Sequence, residues 1–133
     1  MGNNKKKNQA VVGLGSNIRP SENIARAKEN FAQSHRIVAE SQFIKTDPIG
    51  YPDQPDFVNG VVLIETDMDF DELKCWLADI ECKLGRVRTA NRYGPRPIDL
   101  DIAVWNGHVV DDDVYERDFL RTAVLEVCPH LKI

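Results

Sequence analysis

Arg86, Arg88, Arg92 and Arg96 precede Asp99 and Asp101 within residues 85–101, GRVRTANRYGPRPIDLD, a locally basic stretch in a chain whose net charge is −4. A guanidinium stays charged at any working pH, and its fork of N–H donors matches phosphate oxygens. Gly94, Pro95 and Pro97 restrict the backbone around Arg96, so the position of that arginine relative to the aspartates is specified as well as its charge. From Ile98 onward the residues alternate. Ile98, Leu100, Ile102 and Val104 form one face of a predicted strand, and Asp99, Asp101, Ala103 and Trp105 form the other. Two carboxylates about 7 Å apart on one strand face can both reach a hard cation such as Mg²⁺, which takes a few carboxylate oxygens and completes its shell with water and phosphate. Arginines and metal-binding aspartates together are the parts that phosphoryl transfer needs. Without the glycine and prolines, the same charges would fit a solvated loop with surface ion pairs.

Composition narrows the alternatives. At 133 residues the chain has the size of one domain, expected over residues 9–133 behind a flexible tail at 1–8. That tail, MGNNKKKN, is basic but is followed by no apolar core, so it does not read as a signal peptide, and no stretch has the length of a membrane span. A pI near 5.3 argues against a nucleic-acid-coating protein. Cys75, Cys82 and Cys128 form no Cys-x-x-Cys pair and fit buried thiols in a reducing cytoplasm, while His35, His108 and His130 lack metal-ligand spacing. The GLGSNI run begins like a dinucleotide fingerprint, but Ile18 stands where the third glycine is needed, and no P-loop is present. Any phosphate site must come from the arginine stretch.

The elements that position these residues follow from periodicity. Residues 9–15 read as a strand ending in glycines, and Ile24, Ala27 and Phe31 recur at helical spacing. A second strand is predicted over residues 36–46 and a third over 57–66, separated by a proline-rich loop. Asp69 and Glu72 have capping-box spacing ahead of Leu73, Leu77, Ile80 and Leu84, and Gly85 is predicted to end that helix as its C-cap. Asn106-Gly107 predicts a two-residue hairpin turn from the aspartate strand into residues 108–110, with a last helix over 119–127. This order is the ferredoxin-like split βαβ plan, an α+β sandwich with helices packed on an antiparallel sheet. Phe57 and Asn59 share a face of the third strand. An aromatic plane beside an amide suits a flat heteroaromatic ligand, although a strand phenylalanine also suits a core.

GLGSN at the first strand, DQPDFVNGV at 53–61, IECKLGRVR at 80–88 and YGPRPIDLDI at 93–102 together resemble the 6-hydroxymethyl-7,8-dihydropterin pyrophosphokinase family. The resemblance implies transfer of diphosphate from ATP, as co-substrate, to the pterin hydroxymethyl group in folate biosynthesis, with two Mg²⁺ ions held by Asp99 and Asp101. By the same resemblance Arg86 and Arg96 are catalytic and phosphate-binding, and Arg88 and Arg92 are further basic positions of their loop. Phe57 and Phe119 sandwich the pterin, Asn59 hydrogen-bonds its edge, and Thr46, Asp47 and Ile49 line it. Glu81, Ile102 and Arg117 lie on the nucleotide side. Expected partners are the two small-molecule substrates and other folate enzymes, with no nucleic acid or membrane, in the cytoplasm.

The chain also departs from that family. It runs from Val110 through Asp111, Asp112 and Asp113 to Arg117 with no Pro-His pair, has Thr89 and Tyr93 at loop positions that are often basic residue and tryptophan, and stops shortly after Leu131. These differences predict a weak ATP site. They also leave a catalytically weak or inactive pterin- or nucleotide-binding homologue as the alternative, and a ferredoxin-like RNA-binding module as a further one.

Overall fold

The computed structural model describes residues 7–48, 53–86 and 96–133. Strand β1 (Asn8–Ser16) lies at the centre of an antiparallel sheet, between β4 (Phe57–Thr66) and β5 (Asp99–Trp105). Strands β2 (Arg36–Glu40) and β3 (Ile44–Thr46) both pair with the far side of β4, and β6 (His108–Val109) pairs with β5. Helices α1 (Pro20–Ser34) and α2 (Phe70–Lys83) cover one face. The short α3 (Asp113–Glu116) and α4 (Asp118–Val127) cover part of the other. This is the α+β ferredoxin-like arrangement expected from the element order.

Alternation along the strands builds two cores. Ala10, Val12, Leu14, Val62, Ile64, Leu100 and Ile102 meet Ile24, Ala27 and Phe31 of α1 and Leu73, Leu77 and Ile80 of α2. On the opposite face, Val11, Val61, Ala103 and Val104 pack with Val114, Ala123, Val124 and Val127. Burying each larger aliphatic side chain contributes about 1.5–3 kcal/mol.

Two strand readings need correction. The stretch predicted as one strand over 36–46 is two, because Ser41 and Phe43 leave the ladder. The Ser41 N–H donates to the Val61 carbonyl at 3.0 Å and its hydroxyl accepts from the Val61 N–H at 2.9 Å. Phe43 folds across β4 so closely that a Cβ on Gly60 would lie 2.6 Å from its ring. The second correction concerns β5. Val12 pairs with Ile102 but Val11 pairs with Val104, so Ala103 is an extra residue. This bulge turns Val104 to the α4 side beside Ala103, away from the face of Leu100 and Ile102.

The capping box of α2 is present, with the Glu72 N–H on Asp69 Oδ1 at 2.8 Å and the Asp69 N–H on Glu72 Oε1 at 3.0 Å. The C-cap is Leu84, and Gly85 stands one residue beyond it at φ 97°. The Gly85 N–H donates to the Cys82 carbonyl and the Arg86 N–H to the Glu81 carbonyl. That Schellman pairing returns Arg86 to the side of Glu81. Asn106 and Gly107, with φ of 47° and 82°, make the predicted hairpin turn.

Cys75 and Cys82, expected to be buried, are exposed, because they fall on the solvent side of α2. His35, just past α1, is buried against Phe31 and Trp76, and neither ring nitrogen has a hydrogen-bond partner among the described residues. Burial holds its pKa below the ordinary 6.5, with Asp67 pulling the other way. The folded state therefore binds fewer protons than the unfolded chain, and stability is lost as pH falls below about 6.5. His35→Phe is expected to stabilise by about 1–2 kcal/mol and to flatten that acid limb; thermal melts from pH 5 to 8 check both.

Candidate active site

On the face that α4 partly covers, β1 presents Val11, Gly13 and Gly15 in turn. Val11 belongs to the core under α4. Beyond it the sheet carries no bulk along its centre. Gly13 pairs with Val61 on one side and Asp101 on the other, and Gly15 pairs with Asn59 and Asp99. Two strand spacings, about 10 Å, thus separate an amide and aromatic row on β4 from an acidic row on β5, with glycines between. A cleft of about 860 Å³ opens here, and its lining includes Gly13, Gly15, Thr46, Asp47, Phe57, Asn59, Glu81, Arg86, Arg96, Asp99, Asp101, Asp111, Arg117 and Phe119.

The acidic row is tied to both arginines. Arg86 Nη1 donates to Asp99 Oδ1 at 3.0 Å, and Arg96 Nη1 donates to Asp99 Oδ2 at 3.0 Å. Arg86 Nη1 also pairs with Glu81 Oε2, an oxygen that accepts the Leu100 N–H at 2.8 Å. Glu81 is buried, so a single carboxylate joins the end of α2 to the start of β5 and holds Arg86 over Asp99. A buried carboxylate needs this pairing to offset its desolvation.

Among the described residues, Asp101 makes no ion pair of this kind. Its carboxyl is pushed up to about 7, first by desolvation between the cleft walls and then by Asp99, Glu81 and Asp111, with Arg86 acting in the opposite direction. The residue itself is exposed to solvent, so a ligand can reach it. Asp111 is also raised, mainly by burial. Among the described residues, Glu81, Asp99, Asp101, Asp111, Asp112 and Asp113 share this wall with Arg86, Arg96 and Arg117, an excess of negative charge that fits a divalent cation. No cluster of three or more His, Cys, Asp or Glu with metal-binding placement occurs among the described residues. Asp99 and Asp101 fit Mg²⁺, which needs few protein oxygens, better than a metal that demands a closed cage.

The other residues singled out from sequence are placed as follows. The Asn59 side-chain N–H donates to Thr46 Oγ1, and Asp47, Phe57 and Phe119 line the same cleft. Arg117 lines the cleft while pairing with Asp113 at 3.4 Å. Ile102 borders the cleft, and its side chain is buried in the core that faces α1 and α2. Ile49, Arg88 and Arg92 lie outside the described residues. Sequence reasoning did not single out the glycines as a floor, or Asn17 and Gln54 as buried amides beside it. The available signal was GLGSN itself: glycines inside a strand mark a close approach rather than a turn.

A ferredoxin-like sheet that sets acidic and guanidinium groups over a glycine floor offers a site suited to a polyphosphate and its cation. Residues 11–129 match the 7,8-dihydro-6-hydroxymethylpterin-pyrophosphokinase family, and the chain belongs to it. It is 35% identical to the 2-amino-4-hydroxy-6-hydroxymethyldihydropteridine pyrophosphokinase of Bacillus subtilis, over 94% of this chain and 81% of that protein. It is 38% identical to the protein of the same name from Methylorubrum extorquens, over 94% of this chain and 85% of that one. The folate synthesis bifunctional protein of Arabidopsis thaliana is 30% identical over 90% of this chain, which corresponds to 27% of the plant protein.

Proposed function

We propose that this protein transfers diphosphate from ATP to 6-hydroxymethyl-7,8-dihydropterin, releasing AMP, in folate biosynthesis. The observation that carries the reading is the Arg86–Asp99–Arg96 bridge beside Asp101, across a glycine floor from Asn59 and Phe57. Phe57 and Phe119 would hold the flat pterin and Asn59 its edge, with Thr46, Asp47 and Ile49 around it. Arg86 and Arg96 would neutralise charge on the transferring phosphates, helped by Arg88 and Arg92, while Glu81, Ile102 and Arg117 flank the nucleotide. Asp99 and Asp101 would hold two Mg²⁺ ions, which when bound neutralise phosphate oxygens and favour ionisation of the acceptor hydroxyl. No covalent protein intermediate is needed, because positioning and charge stabilisation suffice for direct displacement.

No helix among the described residues is long and apolar enough to cross a membrane, which is compatible with work in the cytoplasm. Association with other folate enzymes is supported by the bifunctional plant relative. Incubation with Mg-ATP and hydroxymethyldihydropterin should yield AMP and the pterin diphosphate in equal amounts. Pterin binding without AMP at saturating ATP would instead establish an inactive binding homologue.

Asp111 lines the cleft and adds to the negative field around Asp101. Its charge opposes a polyphosphate, in keeping with the weak ATP site expected from sequence. Asp111→Asn is expected to lower the KM for ATP by about three- to tenfold, since a nearby charge of this kind is worth about 1 kcal/mol at a partly solvated site. The gain should shrink at high salt; an unchanged KM in steady-state assays at low salt would refute the repulsion.

A further inference from the structure

Asn17 is 4% exposed, and each part of its amide serves a segment remote in sequence. Its Oδ1 accepts the Arg96 N–H at 2.7 Å, while its own backbone N–H donates to the Arg96 carbonyl at 3.2 Å. Its Nδ2 donates to Gln54 Oε1 at 2.7 Å and to the Pro55 carbonyl at 3.1 Å. Arg96 is the residue whose guanidinium holds Asp99. Pro55 stands two residues before Phe57, where β4 begins.

A buried amide must be satisfied, but satisfaction alone does not require that its partners belong to opposite sides of one cleft. We infer that Asn17 is a positioning residue that couples the acceptor side of the cleft, through Gln54 and Pro55, to the phosphate side, through the backbone of Arg96. Displacing Gln54 then shifts the amide, and the amide carries that shift to Arg96. The inference rests on the proposed function for its catalytic meaning, though the mechanical link is independent of turnover.

Amide hydrogen exchange on the full chain tests the link directly. Asn17→Ala should speed exchange at the Arg96 N–H by at least about tenfold, and Gln54→Ala by about threefold, with Val12 and Val62 in the central ladder unchanged. In the Asn17→Ala background, Gln54→Ala should have no further effect on Arg96. Should Asn17→Ala not fold, Asn17→Asp keeps the acceptor for Arg96 and removes the donor to Gln54 and Pro55; Arg96 should then stay protected and become insensitive to Gln54→Ala. An Arg96 rate that ignores Gln54→Ala in the wild-type background, or still responds to it without Asn17, overturns the coupling. In turnover assays Gln54→Ala should lower kcat as well as raise the KM for the pterin, whereas a purely structural amide predicts no such kcat loss in a folded variant. Failure of the wild type to form AMP would remove the proposed activity, while the exchange result would still decide the coupling.

Discussion

Asp101→Asn is expected to stabilise the metal-free protein at pH 8 and to lower turnover on the order of 10³-fold. Both effects come from one cause. In the wild type the carboxyl is held up to about 7, with burial first and Asp99, Glu81 and Asp111 next. The folded state thus keeps a proton that the unfolded chain gives up near pH 4. Stability falls as pH rises between those values and stays lowered above about 7. An amide carries no charge and removes this loss, but it gives a cation a poorer ligand. Thermal melts without metal should show the variant above the wild type at pH 8 and close to it at pH 5. Added Mg²⁺ should raise the wild-type midpoint at pH 8 and leave the variant nearly unmoved. Equal melts at both pH values would contradict the electrostatic account, and retained AMP release would remove Asp101 from the metal site. Asp99→Asn should instead destabilise the metal-free protein, since Asp99 bridges Arg86 and Arg96 and its loss weakens the hold on both, leaving Arg86 to Glu81 alone.

What could be read from sequence was what neighbouring residues decide. Asp99 and Asp101 share a face because strand alternation requires it, and the Asp69–Glu72 box needs only three residues of spacing. Features set by distant pairing were not legible. Val104 changes face because β1 meets β5 one residue out of step, and the strand over 36–46 breaks where Phe43 finds Gly60 bare. Asn17 looked like a residue ending a strand. Its partners Gln54 and Arg96 lie 37 and 79 positions away, and no local pattern announces them. The carboxylates and guanidiniums of the candidate site were therefore visible as types and spacing, while the links holding them depended on the fold.

The glycine floor gives the second large effect. A Cβ on Gly15 would lie 2.5 Å from Asn59 Oδ1, 3.6 Å from its Cγ and 3.9 Å from Phe57 Cδ1. No left-handed backbone conformation is involved, since Gly15 sits in regular register with Asn59 and Asp99. The added methyl must therefore push Asn59 aside, breaking its bond to Thr46 and moving the amide proposed to read the pterin edge. Gly15→Ala is expected to weaken pterin binding by about 10- to 100-fold, the range of an overpacking cost of about 1–3 kcal/mol. ATP binding should change little, because Asp99 is held from its other side by two arginines. Gly13→Ala is the control: its Cβ would come no closer than 3.8 Å to the Asp101 carbonyl and 4.0 Å to Leu120 Cδ1, ordinary contact distances. Titration of pterin fluorescence against both variants separates the cases. Equal losses in the two would mean that the strand tolerates no side chain anywhere along the floor. A loss confined to Gly15→Ala would tie acceptor binding to Asn59, which the methyl reaches and Gly13 does not.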